Sequence, residues 1–232
     1  MSQRFLSIQA TYAHACVALF SEHTCLGALT NSHTSASSHL IPLAMQLLAA
    51  HNLTLDDISF IAVDQGPGAF TSLRVALATV NGISFARRIP LVGVNSLDAL
   101  LFQISQENGL DSSTLRVAIL NAYNNDVYYA YAQNHVLTIP SQGCCKIDQL
   151  LEFLVACSAE HIIMTGNAVA LHRQCIDQTL KNKKIAIVHC DVPAVQTIAT
   201  LGLQAWKEQK EHVFWLEPNY LKTQLFAVRS QS

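Results

Sequence analysis

Charge is what this 232-residue chain has least of: Asp, Glu, Lys and Arg make up 13% of it, where about a quarter is usual. Fourteen Lys plus Arg stand against sixteen Asp plus Glu, a net charge of −2. No basic excess is left to neutralise a phosphate backbone, so stand-alone nucleic-acid binding is disfavoured. Long apolar runs are missing too. The longest uncharged apolar helix candidate, residues 75–86, falls short of the roughly 18 residues that a membrane span needs. Near the N-terminus the apolar stretch 5–8 is broken by Ser7 and followed by Gln9, which argues against a signal peptide. The seven cysteines are odd in number and never form C-x-x-C; reduced, buried thiols in a cytoplasmic protein are expected. Ten histidines give no H-x-x-x-H or H-x-x-E-H, and G-x-S-x-G is absent, so neither a metal site nor a serine hydrolase is expected.

Apolar periodicity supplies the organisation. Residues 4–9, 15–19 and 25–30 read as three strands of an antiparallel meander. A helix follows from residue 40, with Leu40, Leu43, Ala44, Leu47 and Leu48 at helical spacing, Ser38 as a candidate N-cap and Pro42 tolerated in the first turn. A strand at 58–63, a helix at 71–87, a strand at 91–94 and a helix from Asn95 or Ser96 to about 108 complete the first half. The second half repeats the theme more faintly: a hairpin at 115–120 and 127–132 around Asn124-Asn125, then helix 147–159, strand 162–164, helix 168–180, strand 185–188 and helix 194–210. Cys144-Cys145 falls in a loop on this reading. A meander followed by α-β-α-β is mixed α/β, with crossovers that demand parallel strands. Two lobes are expected, 1–108 and 109–232, parted near 109–113.

The helix at 71–87 is too apolar for a surface helix. Between Arg74 and Arg87 it has no charge, and Ala78, Gly82 and Ala86 recur every four residues as a smooth stripe. A helix on a sheet buries one stripe and keeps a polar remainder; here little remains. Its cover is either its own domain or another polypeptide. Ile41 and Met45 widen the apolar face of the preceding helix, so two broad-faced helices could pair with two more from a partner.

Gly66-Pro67-Gly68-Ala69-Phe70-Thr71 links a strand to that helix, where backbone N–H groups and the helix dipole can hold a phosphate. It lacks the lysine of a phosphate loop and the third glycine of a dinucleotide fold, so a structural turn competes with phosphate contact. Asp64 reads either as a turn-capping group or as a magnesium ligand. The alternating Tyr128, Tyr129 and Tyr131 read as sheet packing.

The stretch Gly66-Pro67-Gly68-Ala69-Phe70-Thr71-Ser72-Leu73-Arg74, followed by Pro90-Leu91-Val92-Gly93-Val94-Asn95-Ser96-Leu97, resembles the bacterial TsaB family, also called YeaZ, over about residues 4–105. Asp126-Val127-Tyr128 and Pro218-Asn219-Tyr220-Leu221 are fainter echoes. The resemblance implies an actin-like ATPase (ribonuclease H-like) fold of two related lobes, mixed sheets flanked by helices. It implies a subunit without catalysis or cofactor, which pairs with a TsaD-type threonylcarbamoyl transferase and a TsaE-type ATPase to form N6-threonylcarbamoyladenosine at tRNA position 37. It also implies homodimers when the partner is missing, and tRNA contact only through the complex. Pairing in that family runs through the two helices of the first lobe, which marks Leu43, Leu47, Leu73, Arg74, Leu77, Ala78, Asn81, Gly82 and Phe85 as interface residues. A nucleotide-binding ATPase or kinase-like protein of the same fold is the alternative. The chain departs from the family at Gln9-Ala10-Thr11 in place of Asp-Thr-Ser, at Ala36-Ser37-Ser38 in place of His-Ser-Glu, at Asn121-Ala122-Tyr123 in place of Asp-Ala-Arg, and at Lys222 in place of Arg. Loss of the acidic group at Gln9 makes nucleotide hydrolysis still less expected.

Overall fold

The computed structural model describes residues 3–12, 14–31, 39–106, 113–133, 141–208 and 211–222. The candidate cap Ser38, the departure at 36–38 and most of the expected lobe boundary lie outside these residues.

Two five-stranded sheets share one topology. In the first, β1 (Arg4–Gln9), β2 (Ala15–Ser21) and β3 (Thr24–Asn31) form the antiparallel meander, while β4 (Phe60–Gly66) and β5 (Leu91–Asn95) add in parallel on the other side of β1, giving the order β3-β2-β1-β4-β5. In the second, β6 (Leu115–Asn121), β7 (Asp126–Gln133) and β8 (Ser141–Lys146) are the meander and β9 (His161–Thr165) and β10 (Lys184–Ile187) the parallel strands, in the order β10-β9-β6-β7-β8. The echo expected from the sequence is thus a strand-for-strand repeat. Cys144 and Cys145 lie on β8 and not in a loop. All seven thiols are free, but none is fully buried and Cys25 is exposed; Cys25, Cys144 and Cys145 lie on the edge strands β3 and β8.

The helices sort by the two-residue period of the strands they cover. Leu6, Ile8, Val17, Leu19, Ile61 and Val63 face one way and are covered by α1 (Leu40–Ala50) and α2 (Phe70–Arg87). Phe5, Ala18, Phe60, Ala62, Val92 and Val94 face the other way, onto α7 (Val195–Glu208), where Phe60 stacks on Trp206 at 4.6 Å. The second sheet carries α4 (Ile147–Ala156), α5 (Asn167–Leu171) and α6 (Arg173–Thr179) on its outer face. The single helix expected over 168–180 is broken at His172. On its inner face Ala118, Leu120, Ala130 and Ala132 meet Leu97, Leu100, Leu101 and Ile104 of α3 (Ser96–Ser105). Asn95 caps α3, its Oδ1 accepting from the N–H groups of Leu97 and Asp98.

A helix from each half therefore packs on the other half's sheet: α3 on the second, α7 on the first. The hydroxyl of Ser7 on β1 donates to the carbonyl of Val195 at 2.8 Å. The expected division at 108/109 separates the two sheets in sequence, while α3 and α7 form a shared middle layer between them.

Candidate partner interface and interlobe cleft

Alpha-2 has two characters. Leu73, Ala76, Leu77, Val80 and Ile83 are buried against the first sheet. Arg74, Ala78, Gly82, Phe85 and Ala86 point outward, Phe85 being 82% exposed. A methyl group built on Gly82 would have nothing within 4 Å. On α1, Ile41 and Met45 are 50% and 46% exposed. Of the nine residues expected at an interface, Arg74, Ala78, Gly82 and Phe85 thus lie on the open face and Leu43 is half-buried. Leu47, Leu73, Leu77 and Asn81 are 1–4% exposed and covered by this chain, Leu77 and Asn81 at the floor of a groove beside α2. Helical spacing alone does not separate the sheet-facing leucines from the outward stripe one residue away.

What covers Asn81 is the chain's own C-terminal segment, residues 213–222. Asn81 donates from Nδ2 to the carbonyl of Leu216 at 2.9 Å and accepts from the Leu216 N–H at 3.0 Å. Ser84 donates to the carbonyl of Phe214, and the Leu91 N–H donates to that of Val213. Asn81 and Ser84 are buried polar groups on an apolar helix, and this strand-like partner satisfies both. An open groove of about 410 Å³ runs between α2 and the segment, lined by Arg74, Ala78, Trp215, Pro218 and Tyr220 among others. Trp215 is 65% exposed. Sequence reasoning missed this tryptophan because its placement beside α2 depends on a contact across more than a hundred residues.

The Gly-Pro-Gly loop at the other end of α2 is closed by the first lobe. The Ala69 N–H donates to the carbonyl of Thr11 at 2.8 Å, and a Cβ on Gly68 would lie 2.8 Å from that of Thr11, so only glycine allows this approach. Asp64, fully buried, accepts from the hydroxyls of Thr11 and Ser96 and from the Gly66 N–H. Burial pushes its carboxyl up to about 6, against the pull of those bonds. These donors tie three chain segments together, the turn-capping role. Gln9 takes part by donating to the Thr11 hydroxyl.

Between the lobes lies a second cavity of about 230 Å³, lined by Gly68 and Phe70 from α2 and its loop, Tyr123, Asn124 and Tyr128 from the hairpin, and Tyr220 and Lys222 from the C-terminal segment. Tyr123, Asn124 and Asn125 all have positive φ, which turns the hairpin tightly at the cleft. The Tyr12 hydroxyl crosses the junction to the carbonyl of Asn121 at 3.0 Å, and burial raises its pKa far above the usual phenol value. Lys222 bridges to Asp126 at 2.6 Å. Among the described residues no group of three or more His, Cys, Asp or Glu converges as a metal site, and no helix is long and apolar enough to cross a membrane.

Two lobes of one topology facing across a cleft have the actin-like ATPase fold. The family model of TsaD, tRNA N6-adenosine threonylcarbamoyltransferase, matches residues 31–225, and the chain belongs to that family. Within it the chain is similar to TsaB proteins: the tRNA threonylcarbamoyladenosine biosynthesis protein TsaB of Buchnera aphidicola subsp. Baizongia pistaciae is 29% identical over 82% of this chain and 84% of its own. Two further TsaB relatives align over only 64% and 55% of their own length. Among solved structures, an uncharacterized Pseudomonas aeruginosa protein with similarity to peptidase YEAZ superposes with a TM-score of 0.76 at 22% identity, covering 95% of this chain and all of that one. The Listeria monocytogenes protein Lmo2764, at TM-score 0.53 and 10% identity over 89% of this chain and 100% of its own, shares the fold alone.

Proposed function

We propose that this chain is a non-catalytic partner subunit in the formation of N6-threonylcarbamoyladenosine at tRNA position 37. It pairs through the outward face of α1 and α2 with a TsaD-type paralogue that carries the transfer chemistry, and it works with a TsaE-type ATPase. One observation carries the reading: Ile41, Met45, Ala78, Gly82 and Phe85 form an apolar face that the chain's own second lobe leaves bare. An exposed face of this kind marks a contact surface in a soluble protein. The TsaB names of the relatives supply the pathway and the family model supplies the paralogue. The net charge of −2 supports a reading in which tRNA affinity belongs to the assembled complex.

Co-purification with the cognate transferase subunit, followed by a tRNA modification assay with and without this chain, tests the proposal. Complex formation and modification that require the chain are expected; full modification in its absence overturns the proposal. Replacement of Gly82 by arginine keeps the fold, since the position is open, and abolishes pairing. The alternative, a nucleotide-hydrolysing protein of the same fold, finds less support in a cleft whose nearest buried carboxylate, Asp64, is committed to Thr11, Ser96 and Gly66. Tight binding of ATP and magnesium by the isolated chain in isothermal titration would restore it.

A further inference from the structure

The C-terminal segment does more than cover α2. It lies along the first lobe and then crosses to the second, and its two ends are held very differently. On the first lobe it is seated by the paired bonds of Asn81 with Leu216, by Ser84 on Phe214 and by Leu91 on Val213. Gln65 adds two more, donating from Nε2 to the carbonyl of Glu217 at 2.6 Å and accepting from the Asn219 N–H at 3.0 Å. Arg74 donates to the Tyr220 hydroxyl at 2.7 Å while its guanidinium lies 3.7 Å over the Phe70 ring. Asn81 and Ser84 are buried beneath it, and lifting this end breaks their three hydrogen bonds together.

On the second lobe the segment is held by one polar side chain, with Leu221 packed half-buried against the cluster that α3 makes with the second sheet. Lys222 reaches the carboxylate of Asp126 at 2.6 Å and the carbonyl of Ala122 at 3.1 Å. The same carboxylate also holds Lys146 at 2.8 Å, so Asp126 keeps a compensating charge when Lys222 leaves. The Lys222 side chain is 35% exposed, and its ammonium is readily rehydrated. An ion pair in this setting is weak and screened by salt. The hook sits at the mouth of the interlobe cavity, beside Tyr123 and Tyr220.

We propose that residues 213–222 form a strap that latches the two lobes together, permanently seated on the first lobe and releasable from the second at the Lys222–Asp126 hook. Release lets the second lobe pivot about the α3 layer and the Tyr12–Asn121 bond, which stay in place, and opens the cavity between Gly68, Phe70 and the Tyr123 turn.

The test places ketone-bearing residues at exposed Gln46 on α1 and Glu152 on α4, couples nitroxides to them without touching the native thiols, and measures the interlobe distance distribution by double electron–electron resonance. Wild type gives one narrow distribution. Lys222→Gln adds a longer component, 1 M salt added to wild type produces the same component, and Lys146→Gln, which leaves the hook intact, does not. Hydrogen exchange of residues 213–217 stays as slow in Lys222→Gln as in wild type, since that end remains seated. A distribution unmoved by both Lys222→Gln and salt overturns the latch. Equal broadening by Lys146→Gln, or exchange that speeds along the whole segment, overturns the assignment of the hook as the releasing end. The salt series on wild type reads the hook even if a variant folds poorly.

Discussion

Replacing Gly82 by alanine separates what the helix needs for itself from what it offers to another chain. Glycine inside a helix is worse than alanine by about 1 kcal/mol. At Gly82 no atom lies within 4 Å of the added methyl, so nothing in the isolated chain offsets that penalty. Gly82→Ala therefore stabilises the monomer by about 1 kcal/mol, which for a domain of this size raises the melting temperature by roughly 2–4 °C. The same methyl stands on the outward stripe between Ala78 and Ala86, where it holds a partner backbone away. Association weakens while the fold gains. Thermal unfolding followed by circular dichroism must be run dilute, because self-association would itself stabilise the native state and oppose the effect; sedimentation velocity at higher concentration then reads pairing. A melting temperature that falls, or pairing unchanged even in Gly82→Arg, would refute the reasoning.

Asp64 makes stability depend on pH in an unusual direction. Its folded carboxyl titrates near 6 and its unfolded one near 4, so the native state binds the extra proton and stability from this group is lost as pH rises from about 4 to 6. Relative to Asp64→Asn, the wild type should gain up to about 3 kcal/mol between pH 7 and pH 4; urea titrations of both proteins at several pH values check this, and parallel profiles count against it. Asn81→Ala leaves the N–H and C=O of Leu216 without side-chain partners, which costs about 1–3 kcal/mol. Calorimetry should show a lower melting temperature with pairing unaffected in sedimentation, whereas lost pairing in a fully stable protein would return Asn81 to the interface. A fragment of residues 1–108 lacks α7 and exposes Phe5, Phe60 and Val92; it should show no cooperative unfolding transition, and adding the rest of the chain restores one.

The strands and helices of the first lobe were legible because their apolar residues follow the two periods cleanly: β1 begins and ends where expected, and α2 differs by one residue. Beta-8 was not. Its sequence, Ser-Gln-Gly-Cys-Cys-Lys, shows no alternation, and it is a strand because β7 supplies a hydrogen-bonding edge and Gly143 leaves room for the Tyr129 ring. The open face of α2 was half legible. The stripe Ala78, Gly82, Ala86 announces a close approach, but which leucines lie beneath it depends on the sheet, and Asn81 and Ser84 make sense only once the C-terminal segment lies beside them. Nor does amphipathic spacing say which sheet a helix covers, so the exchange of α3 and α7 between lobes is visible only in three dimensions.

That exchange sets an order for events on the ribosome. The face of the first sheet carrying Phe5, Phe60 and Val94 stays bare until α7, more than a hundred residues later, has been made. The opposite face, with α1 and α2, closes from residues within the first ninety. During synthesis the residues that present the open stripe are made while the sheet still lacks this backing, so its cooperative closure waits for α7, and contacts this distant in sequence form slowly. A growing chain thus has two adhesive sides, and the second is silenced only when α7 arrives.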